Sequence, residues 1–230
     1  LAVLAFLLSQ RSLPADCGRL NTDLTNFDRV GALLLALTLA AYALAMTTGR
    51  GNFGALNAAL LLAAALGAGL FVLAEMRAPS PLIHLATFRD PALSAGFAAS
   101  MLVATVVMTT LVVGPFYLSG ALGLDAPVVG LVLSAGPLVV ALAGIPSGRA
   151  VDRFGAHRMV IAGLIGMAAG CSMLSLIPEA FGIPGYVTPL AITTSGYALF
   201  QTANNTVVMA DVPPDRRGVI SGILNLSRNL

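Results

Sequence analysis

Charged residues, cysteine and histidine are scarce in this sequence. Asp, Glu, Lys and Arg make up 10% of its 230 residues, whereas about a quarter of an average soluble domain is charged. The two cysteines, Cys17 and Cys171, and the two histidines show no spacing typical of a disulfide framework or a metal site. We therefore expect neither a soluble fold nor redox or metal chemistry, and we predict no cofactor.

Uncharged stretches long enough to cross a membrane separate the few charged residues. Six runs without Asp, Glu, Lys or Arg contain between 20 and 34 residues, and about 20 helical residues cross the roughly 30 Å hydrocarbon core of a bilayer. Backbone groups in lipid must bond one another, so these runs should be helices. With a mean hydropathy of +0.91, the sequence predicts an all-α integral membrane protein. We place six whole spans at 30–48, 54–74, 93–117, 127–147, 159–178 and 186–210.

Both ends of the sequence are predicted to be partial spans of a longer chain. Leu1–Leu8 is apolar but too short to cross a bilayer, and Ser221–Leu230 stops within a helical pattern. A signal peptide is the alternative for the first stretch, but no basic segment precedes it. We divide the chain into the end of a span with a cytoplasmic loop (1–29), a central hairpin (30–74), a second cytoplasmic loop (75–92) and a partial C-terminal membrane half (93–230).

Arginine supplies all twelve basic residues, and its distribution predicts the orientation of the chain. Counted from the N-terminus, the odd-numbered loops between predicted spans hold ten arginines and the even-numbered loops hold one. Basic loops stay on the cytoplasmic side of a membrane. We therefore expect loops 11–29, 75–92, 148–158 and 211–219 in the cytoplasm, and the short loops 49–53, 118–126 and 179–185 outside.

The span 186–210 is the most polar of the six. Thr194, Tyr197, Gln201 and either Asn204 or Asn205 share one face at helical spacing. Because such side chains are costly in hydrocarbon, this face should point into the helix bundle or a water-filled cavity. The amides could instead bond neighbouring helices. We favour a solute-lining face and predict that Gln201, Asn204 and Asn205 bind substrate.

Three other spans show features that predict cavity lining, packing or bending. In 93–117, a stripe of side chains at three- and four-residue steps begins with Met101, Thr105 and Thr109. This stripe either lines a cavity or packs against another helix with its hydroxyls bonded to its own backbone. We predict all three as substrate-binding residues. In 159–178, Gly163, Gly166 and Gly170 predict close helix packing, the last two forming a small-xxx-small pair. In 127–147, Gly136-Pro137 predicts a bend.

Acidic and basic residues are absent from the interior of the six whole spans. Intramembrane carboxylates are typical of proton relays, so a carboxylate that couples transport to protons should lie outside this chain. The spans also lack paired aspartates or a Ser/His constellation, and both His84 and His157 fall in loops. We therefore do not expect an enzyme.

The loop after the fourth whole span resembles the signature G-x-x-x-D-R-x-G-x-[RK]-[RK] of the major facilitator superfamily. Its first basic position is His157, which departs from the pattern. Residues 75–89 and 212–222 are similar to the fourteen-span drug/proton antiporter branch, in which Asp is more usual than His84. The residues that match the superfamily signature, in the loop after the fourth whole span, are Gly148, Asp152, Arg153, Gly155 and Arg158.

This resemblance implies a partial major facilitator-type helical bundle, from the end of span six to the start of span thirteen. It implies that 30–74 is the extra central pair of helices, and that 93–117 and 186–210 line the central cavity. The five signature residues would form a cytoplasmic gate, in which Gly148 allows close helix approach and Asp152 pairs with helix amides or an arginine.

The function implied is secondary-active export of small amphipathic or drug-like molecules by proton antiport, in the bacterial inner membrane. The expected partners are the lipid bilayer, a small-molecule substrate and protons, with no nucleic acid. One alternative is a non-transporting membrane scaffold or partial subunit, which the polar face of 186–210 does not fit. Another is a facilitator-type importer of small polar solutes. This alternative is disfavoured because few aromatic residues lie near 186–210 and no arginine lies inside a whole span.

We predict that an impermeant thiol reagent applied to intact cells labels Ser119→Cys but neither Ser80→Cys nor Ala156→Cys. The reason is the unequal distribution of arginine between the two sets of loops. Labelling of Ser80→Cys and Ala156→Cys, with Ser119→Cys protected, would show that the orientation is inverted.

Overall fold

The computed structural model describes residues 28–48, 53–78, 83, 88–176, 178–210, 212–213 and 216–229. The predicted partial span Leu1–Leu8, Cys17 and His84 lie outside these residues. The helices are α1 (Arg29–Thr47), α2 (Ala55–Arg77), α3 (Pro91–Gly120), α4 (Ala126–Leu133), α5 (Ala135–Phe154), α6 (Ala156–Leu176), α7 (Gly182–Ala210) and α8 (Arg217–Asn229), with a 3₁₀ turn at Glu179–Phe181.

These helices confirm the prediction of an all-α membrane protein, and the described ranges contain no strand. Within them, five helical segments are long and apolar enough to cross a membrane: α1, α2, α3, α4 with α5, and α6. The 29-residue α7 is long enough but more polar, and ten of its residues are buried. Burial in the protein gives its polar side chains partners that lipid could not supply.

The predicted bend in the span 127–147 appears as a break between α4 and α5 at Ser134. It lies just before Gly136-Pro137. Pro137 has no N–H to donate to the carbonyl of Leu133, four residues earlier, so the helical ladder loses one bond there. This missing bond weakens the helical ladder at the turn where the helix is interrupted.

The described residues fall into two compact units, one up to His84 and one from Leu85 onward. In the first, α1 and α2 form a hairpin held by Asn57, which is buried. The Nδ2 atom of Asn57 donates to the carbonyls of Ala45 and Thr48, both at 2.6 Å. Glu75, near the end of α2, is also buried and accepts from the backbone N–H of Ile83 at 3.2 Å.

In the second unit, α6 and α7 touch backbone to backbone through glycines. A Cβ added to Gly163 would lie 2.6 Å from the nitrogen of Phe200 and 2.8 Å from the oxygen of Gly196. One added to Gly170 would lie 2.7 Å from the nitrogen of Thr193. The predicted close packing of this span is confirmed, but Gly163 and Gly170 make the tightest contacts, while Gly166 faces the Cα of Gly196 at 3.4 Å.

We expect Gly163→Ala to destabilise the protein by about 1–3 kcal/mol, because the added methyl would force two backbones apart. The matched control is Gly130→Ala in α4, where no atom lies within 4 Å of an added Cβ. Alanine is the better helix former by about 1 kcal/mol, so the control should be neutral or slightly stabilising. The measurement is thermal stability of the full-length protein in detergent. Equal stability of the two variants would contradict the packing argument.

Candidate functional site

A groove of about 550 Å³ runs along α3 beside the end of α8. It contains three of the predicted substrate-binding residues, Met101, Thr105 and Thr109. Thr105 lies at the middle of the thirty-residue α3, so the groove lies deep along the helix and not at its ends. The remaining lining residues are Ala104, Met108, Val112, Val113, Ser227, Arg228 and Asn229.

The hydroxyl groups of the α3 stripe are bonded within their own helix. Thr105 Oγ1 donates to the carbonyl of Met101 at 3.0 Å, and Thr109 Oγ1 donates to the carbonyl of Thr105 at 2.8 Å. Each hydroxyl proton is therefore engaged, while the oxygen can still accept a bond and the methyl group can contact apolar surface. The two sequence-based alternatives for this stripe, cavity lining and backbone bonding, coexist.

Asn204 joins α7 to α3. Its side chain is 2% exposed, and its Nδ2 donates to the carbonyl of Gly96 at 3.2 Å and to Ser100 Oγ at 2.8 Å. Both amide protons are thus engaged by α3. The structure places Asn204 between two helices and not among the residues that line the groove.

The neighbouring Asn205 points to a different helix and contacts an arginine that sequence reasoning missed. Its Oδ1 accepts a hydrogen bond from Nη2 of Arg228. Arg228 belongs to the predicted partial span Ser221–Leu230, so it lies outside the six whole spans. It lies eleven residues beyond Arg217, where α8 begins, which is a rise of about 16 Å.

The sequence analysis found no arginine inside the six whole spans, and Arg228 lies outside them, on the described part of the predicted partial span. The 13-residue α8 is not among the described helices that are long and apolar enough to cross a membrane. A helix count from the predicted cytoplasmic loop at 211–219 would have found Arg228.

Gln201, one turn before Asn205, is half-buried and is not among the residues that line the groove.

The polar face predicted on 186–210 divides between two environments. Thr194 and Tyr197 line a second, mostly apolar cavity of about 360 Å³ among α3, α4, α5 and α7. Tyr186, which the sequence analysis did not single out, lines it too and stacks on Tyr117 at 5.8 Å between ring centroids. Its buried hydroxyl has no hydrogen-bond partner among the described residues. Asn204 and Asn205 lie further along α7 and contact α3 and α8.

The signature residues surround the turn between α5 and α6. Gly155 has a φ of 88°, a left-handed conformation that favours glycine, and its N–H bonds the carbonyl of Val151 at 2.9 Å. Arg153 lies over the ring of Phe154, 5.3 Å from its centroid. The second glycine of the signature, Gly155, is therefore explained by the turn that it forms.

The other signature residues meet few neighbours in the part of the chain that the structure describes. Asp152 and Arg158 are exposed, and no described residue forms an ion pair with Asp152. No described atom lies within 4 Å of a Cβ added to Gly148. The close approach at Gly148 and the gating contact of Asp152 stay predictions. The described residues contain no group of three or more His, Cys, Asp or Glu side chains that could hold a metal.

The sequence matches the family model described as Major Facilitator Superfamily over residues 25–230. It is 29% identical to the uncharacterized transporter YebQ of Escherichia coli, over 100% of this chain and 50% of the relative. It is 30% identical to the multidrug resistance protein Stp of Mycobacterium tuberculosis, over 90% of this chain and 39% of the relative.

Another similar protein is the multidrug efflux pump LfrA of Mycolicibacterium smegmatis, 24% identical over 86% of this chain and 39% of the relative. The chain spans about half the length, or less, of the curated relatives it matches.

We expect Asn204→Ala to lower the free energy of unfolding by about 1–2 kcal/mol, because it removes two buried bonds between α7 and α3. A double-mutant cycle with Ser100→Ala should show a coupling energy of about 0.6 kcal/mol, the usual size for such bonds in membranes. Unfolding of the full-length protein in mixed micelles measures both values. Purely additive effects would contradict a direct bond between the two side chains.

Proposed function

The chain belongs to the Major Facilitator Superfamily, and from this we propose that the protein is a secondary-active transporter that exports small amphipathic or drug-like molecules. Its apolar helices and bacterial relatives make it a multi-pass protein of the bacterial inner membrane. We further propose that it belongs to the fourteen-span branch and works by proton antiport with alternating access.

The match to the family is the observation that carries this proposal, and the groove beside α3 is the site proposed for it. Its lining combines thioether and aliphatic surface with threonine oxygens and one guanidinium. A mostly apolar concave site with a few polar groups is typical of small-molecule binding. Flexible methionine side chains adapt to ligands of different shape, which suits a transporter of varied compounds.

The names of the relatives add support. Stp is named as a multidrug resistance protein and LfrA as a multidrug efflux pump. Both are similar to this chain over most of its length. Export of drug-like compounds is therefore our proposal for this protein also, with Met101, Thr105 and Thr109 at its site and Gln201, Asn204 and Asn205 on the adjoining helix.

We propose that the α5–α6 turn is a cytoplasmic gate. Asp152 is exposed within this chain, so its carboxylate is available to a helix N-terminus or an arginine elsewhere in the transporter. A contact that forms in one state and breaks in the other would favour one of the two access states.

Arg228 keeps an importer as the second candidate. A guanidinium suits the capture of small polar solutes as well as of amphipathic ones. The two candidates differ in the direction of net movement, which vesicles of known orientation report.

We expect the full-length protein in proteoliposomes to move ethidium against its gradient when a proton gradient is applied. Asp152→Asn should slow this transport about tenfold or more, because a charge-assisted contact contributes about 1.5–3 kcal/mol. The amount of folded protein should stay unchanged, since Asp152 is exposed.

The matched control is Asp125→Asn, because Asp125 makes no side-chain capping bond. Transport at the wild-type rate by Asp152→Asn would remove the gate. A wild-type protein that moves neither ethidium nor any other amphipathic probe, with or without a proton gradient, would overturn the proposed function.

A further inference from the structure

The cavity of about 360 Å³ that Tyr186 and Tyr197 line, called the tyrosine cavity from here on, lies among α3, α4, α5 and α7. In the part of the chain that the structure describes, it shares no lining residue with the groove beside α8. Its lining residues all fall between Val107 and Tyr197, in helices that the structure describes from first residue to last. Its volume lies within the roughly 300–1,000 Å³ of small-molecule sites.

The floor of the tyrosine cavity is closed by these helices themselves. Tyr186 is 2% exposed and Leu190 is 6% exposed. A Cβ added to Gly114 of α3 would collide with the hydroxyl oxygen of Tyr186 and would lie 3.2 Å from Cδ2 of Leu133. The hydroxyl therefore lies against bare backbone of α3, where α3, α4 and α7 meet. Parts of the transporter outside this chain can only add to this burial.

The Tyr186 hydroxyl is a hydrogen-bond donor that these helices leave unused. It is buried and has no partner among the described residues. The threonines of the same cavity instead donate to carbonyls of their own helices, at distances of 2.8 to 2.9 Å. They are Thr110, Thr193 and Thr194. A buried donor without an acceptor is costly, and an acceptor on a ligand would remove that cost.

The ring of Tyr186 is held by its neighbour on α3. It stacks on Tyr117, with 5.8 Å between the ring centroids and 22° between the ring planes. Because the ring is packed before a ligand arrives, little conformational freedom is lost when the hydroxyl makes a bond. Tyr117 is therefore a positioning residue for the hydroxyl.

The rest of the lining determines the class of ligand. Among the described residues, none that lines the tyrosine cavity is charged, and most are aliphatic or aromatic. An ion that entered would lose its water without gaining a partner of opposite charge. An uncharged apolar body with one acceptor oxygen satisfies both the walls and the hydroxyl.

We propose that the tyrosine cavity is a second ligand site, which binds uncharged apolar molecules that carry an acceptor oxygen, such as aromatic ketones. The oxygen accepts a hydrogen bond from Tyr186, and the apolar body lies against α3, α5 and α7. This site is additional to the groove of the proposed transport function, and its ligand can be measured by binding alone.

The test compares 9-fluorenone with fluorene, which share one ring system and differ in the ketone oxygen. Binding of each radiolabelled compound is measured on the full-length protein in lipid nanodiscs. Tyr186→Phe should weaken fluorenone binding about three- to tenfold, by the loss of one neutral hydrogen bond, and leave fluorene binding within about twofold. Partition into lipid cancels, because each compound is compared between wild type and variant. Tyr42→Phe, the same change on α1 and outside the cavity, is the matched control and should keep both affinities.

Thermal unfolding of the same proteins without ligand tests whether the hydroxyl is unpaired. Removal of a buried hydroxyl that has no partner should leave the unfolding midpoint of Tyr186→Phe at the wild-type value or above it. A midpoint several degrees lower would show that the hydroxyl already bonds another group of the full-length transporter, and the proposal would fail.

Two binding results would also overturn the proposal. One is an equal change in fluorenone and fluorene binding in Tyr186→Phe, or no change in either, which would make Tyr186 part of an apolar wall. The other is a wild-type protein that does not bind fluorenone. Both leave the proposed transport function in place, because movement of ethidium by wild-type protein is measured separately. Failure of that transport, with fluorenone binding as expected, would leave the ligand site in place.

Discussion

The arrangement of the second unit depends on the backbone contact between α6 and α7. Gly163, Gly170 and Gly196 have no side chains to separate the two helices, so backbone atoms meet at distances that a Cβ would prevent. This contact draws α7 into the bundle along much of its length. The polar side chains of α7 then face other helices and cavities, where hydrogen-bond partners are present.

Within the second unit, most polar side chains of the helices already use their hydrogen-bond donors inside the protein. Threonine and serine hydroxyls bond back to carbonyls of their own helices, and Asn204 donates to α3. A hydrogen bond already made inside the protein leaves little for a ligand to gain.

The turn between α5 and α6 shows how a sequence signature can combine two physical roles. Gly155 is required by the backbone, because its positive φ ends one helix and allows the next to begin at once. Asp152 and Arg158 are not used for packing within the described residues, since they are exposed. Side chains that the fold does not use at such a turn are available for contacts with groups outside it, as the proposed gate requires.

The sequence by itself determined the fold class, because long charge-free runs in lipid can satisfy their backbones only as helices. It also determined the helical break before Pro137, the presence of close-packing glycines on α6 and the family signature, all of which depend on residue types within one segment. Only the tertiary structure decided where each polar group points. Asn204 and Asn205 are adjacent in sequence, yet about 100° apart around a helix, so one bonds α3 and the other Arg228 of α8. No periodicity within one span reports which neighbouring helix lies on each side, because that depends on packing between residues distant in sequence.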